Sequence, residues 1–374
     1  MKYDTVPLKS VLQPKGYIRG PFGSALKRGD MLETGVPVYE QQHAIYNSRT
    51  FRFFISPAKA IEMNRFAVEE NDLIISCSGT VGMVSLIQKN DPKGIISQAL
   101  LLLRVNPKIV DPVFLNYFFK SQEGYNSIIS RSSGSVQVNI SKREVIENIP
   151  IPLPPIDVQK KIAAILSALD EKIATNRAIN ENLERQAQAI YASMFIDNAD
   201  LAWIQGHLSD LITVKYGKDH KRLGDGSYPV YGSGGIMRYV ERPLYDKESV
   251  LIPRKGTLNN VMYVNQPFWS VDTMFYTEMK LPNAAKFVYH FVKAKDLASM
   301  NAGSAVPSMT TDILNAMEVT IPSASALEEF ESLVAPMYRD MQENDIQSSK
   351  LSELRDALLP KLMSGEIDVA NIQL

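Results

Sequence analysis

Residues 215–255 combine side chains that could bind a polyanion. The stretch holds nine Lys or Arg against five Asp or Glu, interleaved with tyrosines such as Tyr216 and Tyr239 and with the flexible turn 232–235, Gly-Ser-Gly-Gly. Basic, aromatic and glycine-rich loops are typical of surfaces that contact phosphates and read base edges. An ordinary solvated loop with surface lysines has the same composition, so charge alone leaves both interpretations open.

No spacing in the sequence predicts catalysis or metal binding. The histidines have no second His or Cys at the spacing of metal ligands, and the single cysteine, Cys77, has no evident His partner. The turn 232–235 is not followed by the Lys-Ser/Thr pair of a phosphate loop, and neither a Gly-x-Ser-x-Gly motif nor the Asn-Pro-Pro-aromatic motif of amino-methyltransferases occurs. We therefore expect no catalytic site, no bound metal and no cofactor. The four histidines are His43, His207, His220 and His290.

The elements that must position these residues belong to more than one domain, because 374 residues are enough for two or three. One cysteine cannot form an intramolecular disulfide, the N-terminus has no apolar signal region, and the apolar run 99–103 is far too short to span a membrane. These features predict a soluble, cytoplasmic protein.

The net charge of −1 averages over segments of opposite sign. Residues 1–154 have 18 basic against 13 acidic side chains, and residues 198–322 have 13 against 12. Residues 155–197 have 5 against 6, and residues 323–374 have 4 against 10. The average argues against a nucleic-acid binder, but the segments separate two more basic domains from two acidic connecting stretches.

The chain repeats the same motifs in the same order at a distance of about 170 residues. A common order is harder to attribute to chance than any single match. The pairs are Ser78-Gly79-Thr80 with Lys255-Gly256-Thr257, Asn116-Tyr117-Phe118-Phe119 with Tyr289-His290-Phe291-Val292, Ser133-Gly134-Ser135 with Ala302-Gly303-Ser304, and Ile151-Pro152 with Ile321-Pro322.

Each half ends in a long heptad pattern that predicts a helix. The first seam consists of Ile162, Leu166, Leu169, Ile173, Asn176, Asn180, Leu183, Ala187, Ile190 and Met194. The second consists of Phe330, Val334, Met337, Met341, Asn344, Ser348, Leu351, Arg355, Leu358 and Leu362. A Ser325/Glu328 capping box predicts the start of the second helix, Gly365 predicts its end, and Pro336 and Pro360 should kink or restart it.

Geometry favours antiparallel pairing of these two helices. The segment between them folds to a radius of about 14 Å, whereas a helix of about 40 residues is roughly 60 Å long, so both helix ends at that segment lie close together. In that register Asn180 faces Asn344 and Asn176 faces Ser348, and polar pairs of this kind fix the register of a coiled coil. The alternative is that each helix packs separately on its own domain.

The domains themselves have mixed structure. Residues 36–39, 73–76 and 250–252 are predicted strands, and residues 113–121 and 284–293 are predicted helices. We therefore predict an α+β fold: two similar globular domains separated by two long helices that form an antiparallel coiled coil, with pseudo-two-fold symmetry. The predicted boundaries are 1–154, 155–197, 198–322 and 323–374.

Motifs along almost the whole chain resemble the specificity subunits of type I restriction-modification systems. Gly20-Pro21-Phe22-Gly23-Ser24 is similar to the opening of the family's first target recognition domain, and residues 139–155 are similar to the entry into its first conserved helix. Residues 228–235 and 252–257 look like a second recognition domain, and residues 354–367, Leu-Arg-Asp-Ala-Leu-Leu-Pro-Lys-Leu-Met-Ser-Gly-Glu-Ile, resemble the end of the second conserved helix. The second helix entry at 321–324 lacks the double proline of the first.

The resemblance implies a subunit that performs no chemistry itself. Each domain would read one half of a split double-stranded DNA site, and the paired helices would set the spacing between the halves. The acidic helices would dock two methyltransferase subunits, which bind S-adenosylmethionine and methylate a flipped adenine. Restriction subunits would be further partners.

Recognition residues must differ between targets, so we expect them beside the family motifs rather than within them. Arg and Lys pair with guanine, and Asn and Gln pair with adenine. The candidates are Lys27, Arg28, Gln41, Gln42 and His43 in the first domain and Lys218, Lys221, Arg222, Ser233, Arg254, Lys255, Asn259 and Asn260 in the second.

Two alternatives belong to other functional classes. A coiled-coil protein-interaction scaffold without DNA binding explains the repeat and the helices but leaves the basic loops unexplained. A fused enzyme would need a catalytic domain, and no segment is left over for one.

Overall fold

A computed structural model describes residues 3–22, 25–130, 139–300, 308–370 and 372. The chain divides into a first unit, Met1–Thr175 with Gln347–Leu374, and a second unit, Asn176–Ile346. The repeated motifs Ser133-Gly134-Ser135 and Ala302-Gly303-Ser304, and Gly23-Ser24 of the opening motif, lie outside the described residues.

The first unit mixes short strands and helices. Its strands are β1 (Thr5–Pro7), β2 (Leu12–Arg19), β3 (Val36–Tyr39), β4 (Phe54–Ile55), β5 (Leu73–Ser76), β6 (Val84–Leu86), β7 (Ile95–Ile96), β8 (Leu100–Val105) and β9 (Pro150–Pro152). Its helices are α1 (Gln41–Ile45), α2 (Pro57–Glu62), α3 (Pro112–Lys120), α4 (Gln122–Ile129), α5 (Arg143–Glu147) and the start of α6 (Ile156–Ala192), with 3₁₀ turns at Leu8–Val11, Arg28–Asp30 and Asn64–Phe66. The sheets have the orders β2-β8-β5-β6, β4-β3-β7 and β1-β9.

The second unit repeats this plan. Its strands are β10 (Ile204–His207), β11 (Ile212–Tyr216), β12 (Asp225–Gly232), β13 (Gly235–Val240), β14 (Ser249–Pro253), β15 (Met262–Val264), β16 (Trp269–Ser270), β17 (Met274–Met279) and β18 (Glu318–Ile321). Its helices are α7 (Leu208–Leu211), α8 (Ala285–Lys293), α9 (Thr311–Asn315) and the start of α10 (Ala324–Ser364), with a π-helical turn at Ser193–Asp197 after α6. The orders β11-β17-β14-β15, β13-β12-β16 and β10-β18 match those of the first unit strand for strand. The predicted α+β repeat is confirmed.

Each four-stranded sheet is buried on both faces. Leu101 of β8 packs in one cluster with Phe114 of α3, whereas the neighbouring Leu102 packs in another with Tyr39 of β3. Alternate side chains of a strand point to opposite faces, so a strand covered on both sides is apolar at every position. This explains the apolar run at 99–103, which forms a central strand.

The two long helices pair in an antiparallel manner. In the second unit, Asn344 donates from Nδ2 to Oδ1 of Asn180 at 2.9 Å, and Asn180 donates to the carbonyl oxygen of Met341 at 3.1 Å. In the first unit, Asp170 of α6 accepts a hydrogen bond from Arg355 of α10 at 2.6 Å. Residue numbers on α10 therefore rise as those on α6 fall, and separate packing of the two helices is excluded.

Asn176, on the same seam, donates from Nδ2 to the carbonyl oxygen of Asn344 at 3.3 Å. Ser348 belongs to the first unit, so its pairing with Asn176 stays a prediction.

One sequence prediction about α10 is wrong, and a second is wrong in part. Its first turn is capped by Ser323, whose Oγ accepts from the amide of Ala326 at 3.2 Å, rather than by Ser325. The helix also does not restart at Pro336 or Pro360, since it continues from Ala324 to Ser364, and a kink at these residues stays a prediction. Proline removes one backbone hydrogen bond, and packing of the apolar helix face outweighs that loss.

The helix stops where the sequence predicts, at Gly365, whose φ of 73° suits a residue without Cβ. Among the described residues, no helix is both long and apolar enough to cross a membrane.

Candidate nucleic-acid interface

In each unit, two loops follow strands that terminate at the same end of the four-stranded sheet, which we call the sheet edge. In the second unit, Tyr216 ends β11 opposite Phe275, and Pro253 ends β14 opposite Met274. The turn between β12 and β13, at 232–235, reaches the loop that follows β14. The sheet register therefore assembles segments that are remote in sequence.

The structure brings together several predicted residues of the second unit. Asn260 donates from Nδ2 to the carbonyl oxygen of Ser233 at 2.8 Å. The hydroxyl of Ser233 lies 2.7 Å from the position that a Cβ on Gly256 would occupy, so the turn and the loop touch there. The guanidinium of Arg254 lies 5.3 Å from the ring centroid of Tyr216 in a cation–π arrangement, and its Nη1 donates to the carbonyl oxygen of Asp272 at 3.3 Å. The neighbouring Lys255 is exposed.

Lys218 is held at this edge by its backbone. Its amide donates to the carbonyl oxygen of Ser270 at 2.8 Å, and its own carbonyl oxygen accepts from the indole of Trp269 at 2.8 Å. Its side chain stays exposed, as do those of Lys221 and Arg222 farther along the same loop. Fixed backbone with free cationic side chains suits contact with a polyanion.

Asn259 points elsewhere. Its amide donates to Asp296 at 3.0 Å and accepts from the backbone of Ala298 at 2.9 Å. Both ends of the amide are used within the protein, and Asn259 is therefore not grouped with Asn260.

The first unit has the equivalent turn at α1. Gln41 accepts through Oε1 from the amides of Cys77 (3.1 Å) and Ser78 (2.8 Å), which ties the turn to the loop after β5. Gln42 is half-buried and lies 3.5 Å from a carboxylate oxygen of Glu40.

Lys27 and Arg28 are exposed on a separate element, the 3₁₀ turn at Arg28–Asp30. The amide of Lys27 donates to the carboxylate of Asp30 at 2.8 Å.

His43 is fully buried. Its Nδ1 accepts from the amide of Glu40 at 2.7 Å, which leaves Nε2 to donate to the carbonyl oxygen of Thr50 at 3.1 Å. Its ring stacks on Phe51 with centroids 4.6 Å apart. Burial lowers the pKa of His43, so the ring is neutral. The arrangement makes His43 a support for the turn that carries Gln41.

The two units use the same loop backbone with different side chains. Gln41 lies two residues after Tyr39, the last residue of β3. Ser233 lies two residues after Tyr231, which is near the end of β12. The loop after β5 has Gly79 at a φ of 66° and a bridge from Ser78 to Asn139, and the loop after β14 has Gly256 at a φ of 86° and a bridge from Lys255 to Ser308. This confirms the sequence match of 78–80 with 255–257.

Sequence reasoning missed two exposed apolar residues at this edge. Ile236 and Met237 of β13 are about half exposed or more, as is the neighbouring Tyr239 that the sequence had indicated, and the sulfur of Met237 lies 2.5 Å from the position of a Cβ on Gly232. Apolar side chains of this kind could contact thymine methyl groups. The alternation of polar and apolar residues in the sequence could not identify these exposed residues, because which face of a strand is exposed depends on its neighbours in the sheet. Within the described ranges, no group of three or more His, Cys, Asp or Glu could hold a metal ion.

Comparisons with known proteins identify related chains along most of the sequence. A family model described as type I restriction modification DNA specificity domain matches residues 26–185 and 202–330. The MjaIX type I restriction enzyme specificity subunit of Methanocaldococcus jannaschii is 25% identical over 357 residues, covering 82% of each chain. A putative type I specificity subunit of Mycoplasma pneumoniae is 25% identical over 360 residues, covering 90% of this chain and 92% of that one.

A solved structure has a similar fold. The crystal structure of a type I restriction-modification S subunit from M. genitalium gives a TM-score of 0.64 at 19% identity, covering 97% of this chain and 96% of that one.

Proposed function

This chain belongs to the family of type I restriction-modification DNA specificity domains, and we propose that each of its two units reads one half of a divided DNA site. As a specificity subunit it binds DNA and supplies sequence recognition, and we expect catalysis to reside in its partners. The observation that carries the proposal is the repeated edge: both units present the same loops, with Gln41 in one and Ser233 in the other. One scaffold with different reading residues suits an asymmetric site.

We assign to each residue proposed from the sequence a role that follows from its place in the structure. In the second unit we assign base or phosphate contacts to Ser233, Arg254, Lys255 and Asn260, and phosphate contacts to Lys218, Lys221 and Arg222. In the first unit we assign them to Lys27, Arg28, Gln41 and Gln42. His43 and Asn259 would act by holding their loops.

We assign the long helices two roles, spacing and docking. A continuous antiparallel pair would set the distance between half-sites, with the four segments divided as 1–154, 155–197, 198–322 and 323–374. The family resemblance and the acidic charge of the helices support docking of two methyltransferase subunits, and exposed apolar side chains on the helices are candidate contacts. These are Ile179, Leu333, Ile346 and Leu354, each at least 41% exposed. Restriction subunits would join this complex in the cytoplasm, where the cell's DNA lies.

Methylome sequencing of cells that express this chain with its methyltransferase tests the reading role. We expect one methylated motif of two specified parts separated by unspecified bases. Ser233→Ala with Asn260→Ala should change the specified bases in one part only, while the matched control Asn198→Ala, at an exposed asparagine outside the reading loops, leaves the motif unchanged. A motif without a gap, or a change in both parts, contradicts the proposal.

A salt series with mixed-sequence duplex DNA separates DNA binding from a protein-interaction scaffold. Neutralising phosphates releases counterions, so the affinity should fall steeply with salt. Absent binding, or binding that does not change with salt, would favour the scaffold.

Docking has its own test. Leu354→Glu should reduce co-purification of the methyltransferase subunits, whereas Ile61→Glu on α2, which is also exposed, should not. Equal recovery with both variants would remove α10 from the docking surface.

A further inference from the structure

The same corner of each unit contains one guanidinium group, supplied from different strands. In the second unit, Arg254 follows β14 and lies over Tyr216, the last residue of β11. In the first unit, the arginine occupies the other of the two equivalent positions. The last residue of β2 is Arg19, and the residue that follows β5 is Cys77.

Strand register supports this equivalence. Arg19 pairs with Leu101 of β8, which also pairs with Ile75 of β5. In the second unit Tyr216 pairs with Phe275 of β17, which in turn pairs with Ile252 of β14. Arg19 therefore corresponds to Tyr216, and Cys77, two residues after Ile75, corresponds to Arg254.

The glycines that follow these strands confirm the match. The amide of Gly20 donates to Leu100 at 2.9 Å, and that of Gly217 donates to Met274 at 3.0 Å. A Cβ on either glycine would lie 2.0 Å from a backbone carbonyl oxygen, that of Ser97 or of Val271. Only glycine fits such a close approach, so both strand ends are pinned in the same way.

The charge of Arg19 is not compensated within the described residues. No carboxylate among them lies within 4.0 Å of its guanidinium, whereas Arg104 of the same unit pairs with Glu69 and Asp72 at 2.8 Å. The Nη1 of Arg19 is buried and has no hydrogen-bond acceptor in the described part of the chain. Burial raises the pKa of the adjacent Cys77 thiol to about 12, so this thiol is neutral and does not offset the charge. Arg19 as a whole is half-buried rather than buried, and an uncompensated charge in such a place is costly unless a ligand completes it.

The corner adjoins the proposed reading residues in both units. Gln41 accepts from the amide of Cys77 at 3.1 Å, and Arg254 is followed directly by the loop that touches Ser233. The side chains next to the corner differ between the units, Gln41 in one and Ser233 in the other, while the guanidinium is common to both. A ligand common to both half-sites, whatever their sequence, is a backbone phosphate, which a guanidinium binds with charge-assisted hydrogen bonds.

We propose that Arg19 binds a DNA backbone phosphate, and that this corner, with Arg19 in the first unit and Arg254 in the second, anchors each domain independently of sequence. The inference rests on the proposed DNA-reading function. A purely structural role would instead confine Arg19 to contact with Cys77 and with the ring of Phe22, 5.9 Å away.

The test measures the affinity of the full chain, purified with its methyltransferase subunits, for a mixed-sequence duplex and for a duplex with the methylated motif. Arg19→Gln should weaken both by a similar factor and reduce the slope of log K against log salt concentration by about 0.9, with the methylated motif unchanged. Arg19→Lys should retain the slope. Arg65→Gln, which removes the same charge from an exposed arginine of the same unit, should leave both quantities unchanged.

A second variant pair separates binding from structure. Arg19→Tyr should reduce the slope of log K against log salt concentration as Arg19→Gln does. Combining Arg19→Tyr with Cys77→Arg reproduces the arrangement of the second unit and should restore the slope. Circular dichroism identifies the folded variants, and Arg254→Gln in the second unit should lower the slope in the same way.

The outcomes distinguish the inference from the function. If the unmodified complex binds no DNA, the proposed function fails. If it binds DNA and folded Arg19→Gln shows an unchanged slope, or loses affinity only for the methylated motif, or if Arg254→Gln leaves the slope unchanged, the phosphate corner is overturned while the function stands.

Discussion

Replacing Lys286 by Met is expected to destabilise the second unit by about 2–3 kcal/mol. Lys286 of α8 is 3% exposed, and its Nζ lies 2.6 Å from Glu331 of α10 and 3.1 Å from Glu248. It also lies 5.0 Å from the ring centroid of Tyr263 and 5.7 Å from that of Tyr338. One ammonium group thus joins the recognition domain to the long helix.

The magnitude follows from the burial of the three charges. Removing one partner of a buried ion pair costs about 3–5 kcal/mol, because the remaining charge loses its compensation. The side chains of Glu331 and Glu248 are 22% and 42% exposed, so water relieves part of the repulsion between them and the cost falls to the lower end of that range or just below it, about 2–3 kcal/mol. Methionine keeps part of the contact with the tyrosine rings.

Tryptophan fluorescence during urea unfolding measures this effect in the second unit alone. The two tryptophans of the chain, Trp203 and Trp269, both lie there. Lys247→Met, at an exposed lysine, is the control and should change the free energy of unfolding by less than about 0.5 kcal/mol. Glu331→Gln combined with Lys286→Met should cost less than the sum of the single variants. If Lys286→Met unfolds at the same urea concentration as the unmodified chain, the reasoning is refuted.

Three further predictions concern the helices and their junction with the second unit. Burial lowers the pKa of His290 from 6.5 to about 4 in the folded state. As the pH falls, the unfolded state therefore binds a proton at His290 before the folded state does. The free energy of unfolding should decrease between pH 6.5 and pH 4, by at most about 1.4 kcal/mol per pH unit. His290→Gln should flatten that slope in urea titrations at several pH values, and an equal slope would contradict the assignment. Asn344→Leu should raise the melting temperature but allow the two helices to pair in more than one register, because Asn180 loses its donor. Cross-linking across the seam would detect the additional registers. A single unchanged register would contradict a role of Asn344 in setting the register. Lengthening both long helices by one matched heptad should lengthen the gap in the methylated motif, and a constant gap would refute the spacing role.

Much of the fold could be predicted from the sequence, because it depends on local patterns. The strands at 36–39 and 73–76 occur at the predicted residues, and the helices predicted at 113–121 and 284–293 occur within one residue of their predicted starts and ends. The antiparallel register of Asn180 with Asn344 was also predictable, since it follows from heptad spacing and the size of the intervening segment.

Other features could not be predicted, because they depend on neighbours that are distant in sequence. His43 is a plausible contact residue by type, yet its environment is made by Phe51 and Thr50 in a closed turn. Asn259 and Asn260 are adjacent and chemically identical, but one is held by Asp296 and the other by Ser233. No local pattern distinguishes them.

The amino-acid sequence by itself determined the repeat, the element types, the two helical seams and the family, since each is written in residue type and spacing along the chain. Tertiary structure alone decided which side chains meet at the sheet edge, and it placed Arg19 at the position that corresponds to Tyr216. The physical reason is that strand pairing joins segments about 60 to 90 residues apart in sequence, such as Tyr216 with Phe275 and Arg19 with Leu101. Register between such segments is set by the packing of both sheet faces, which no short stretch of sequence contains.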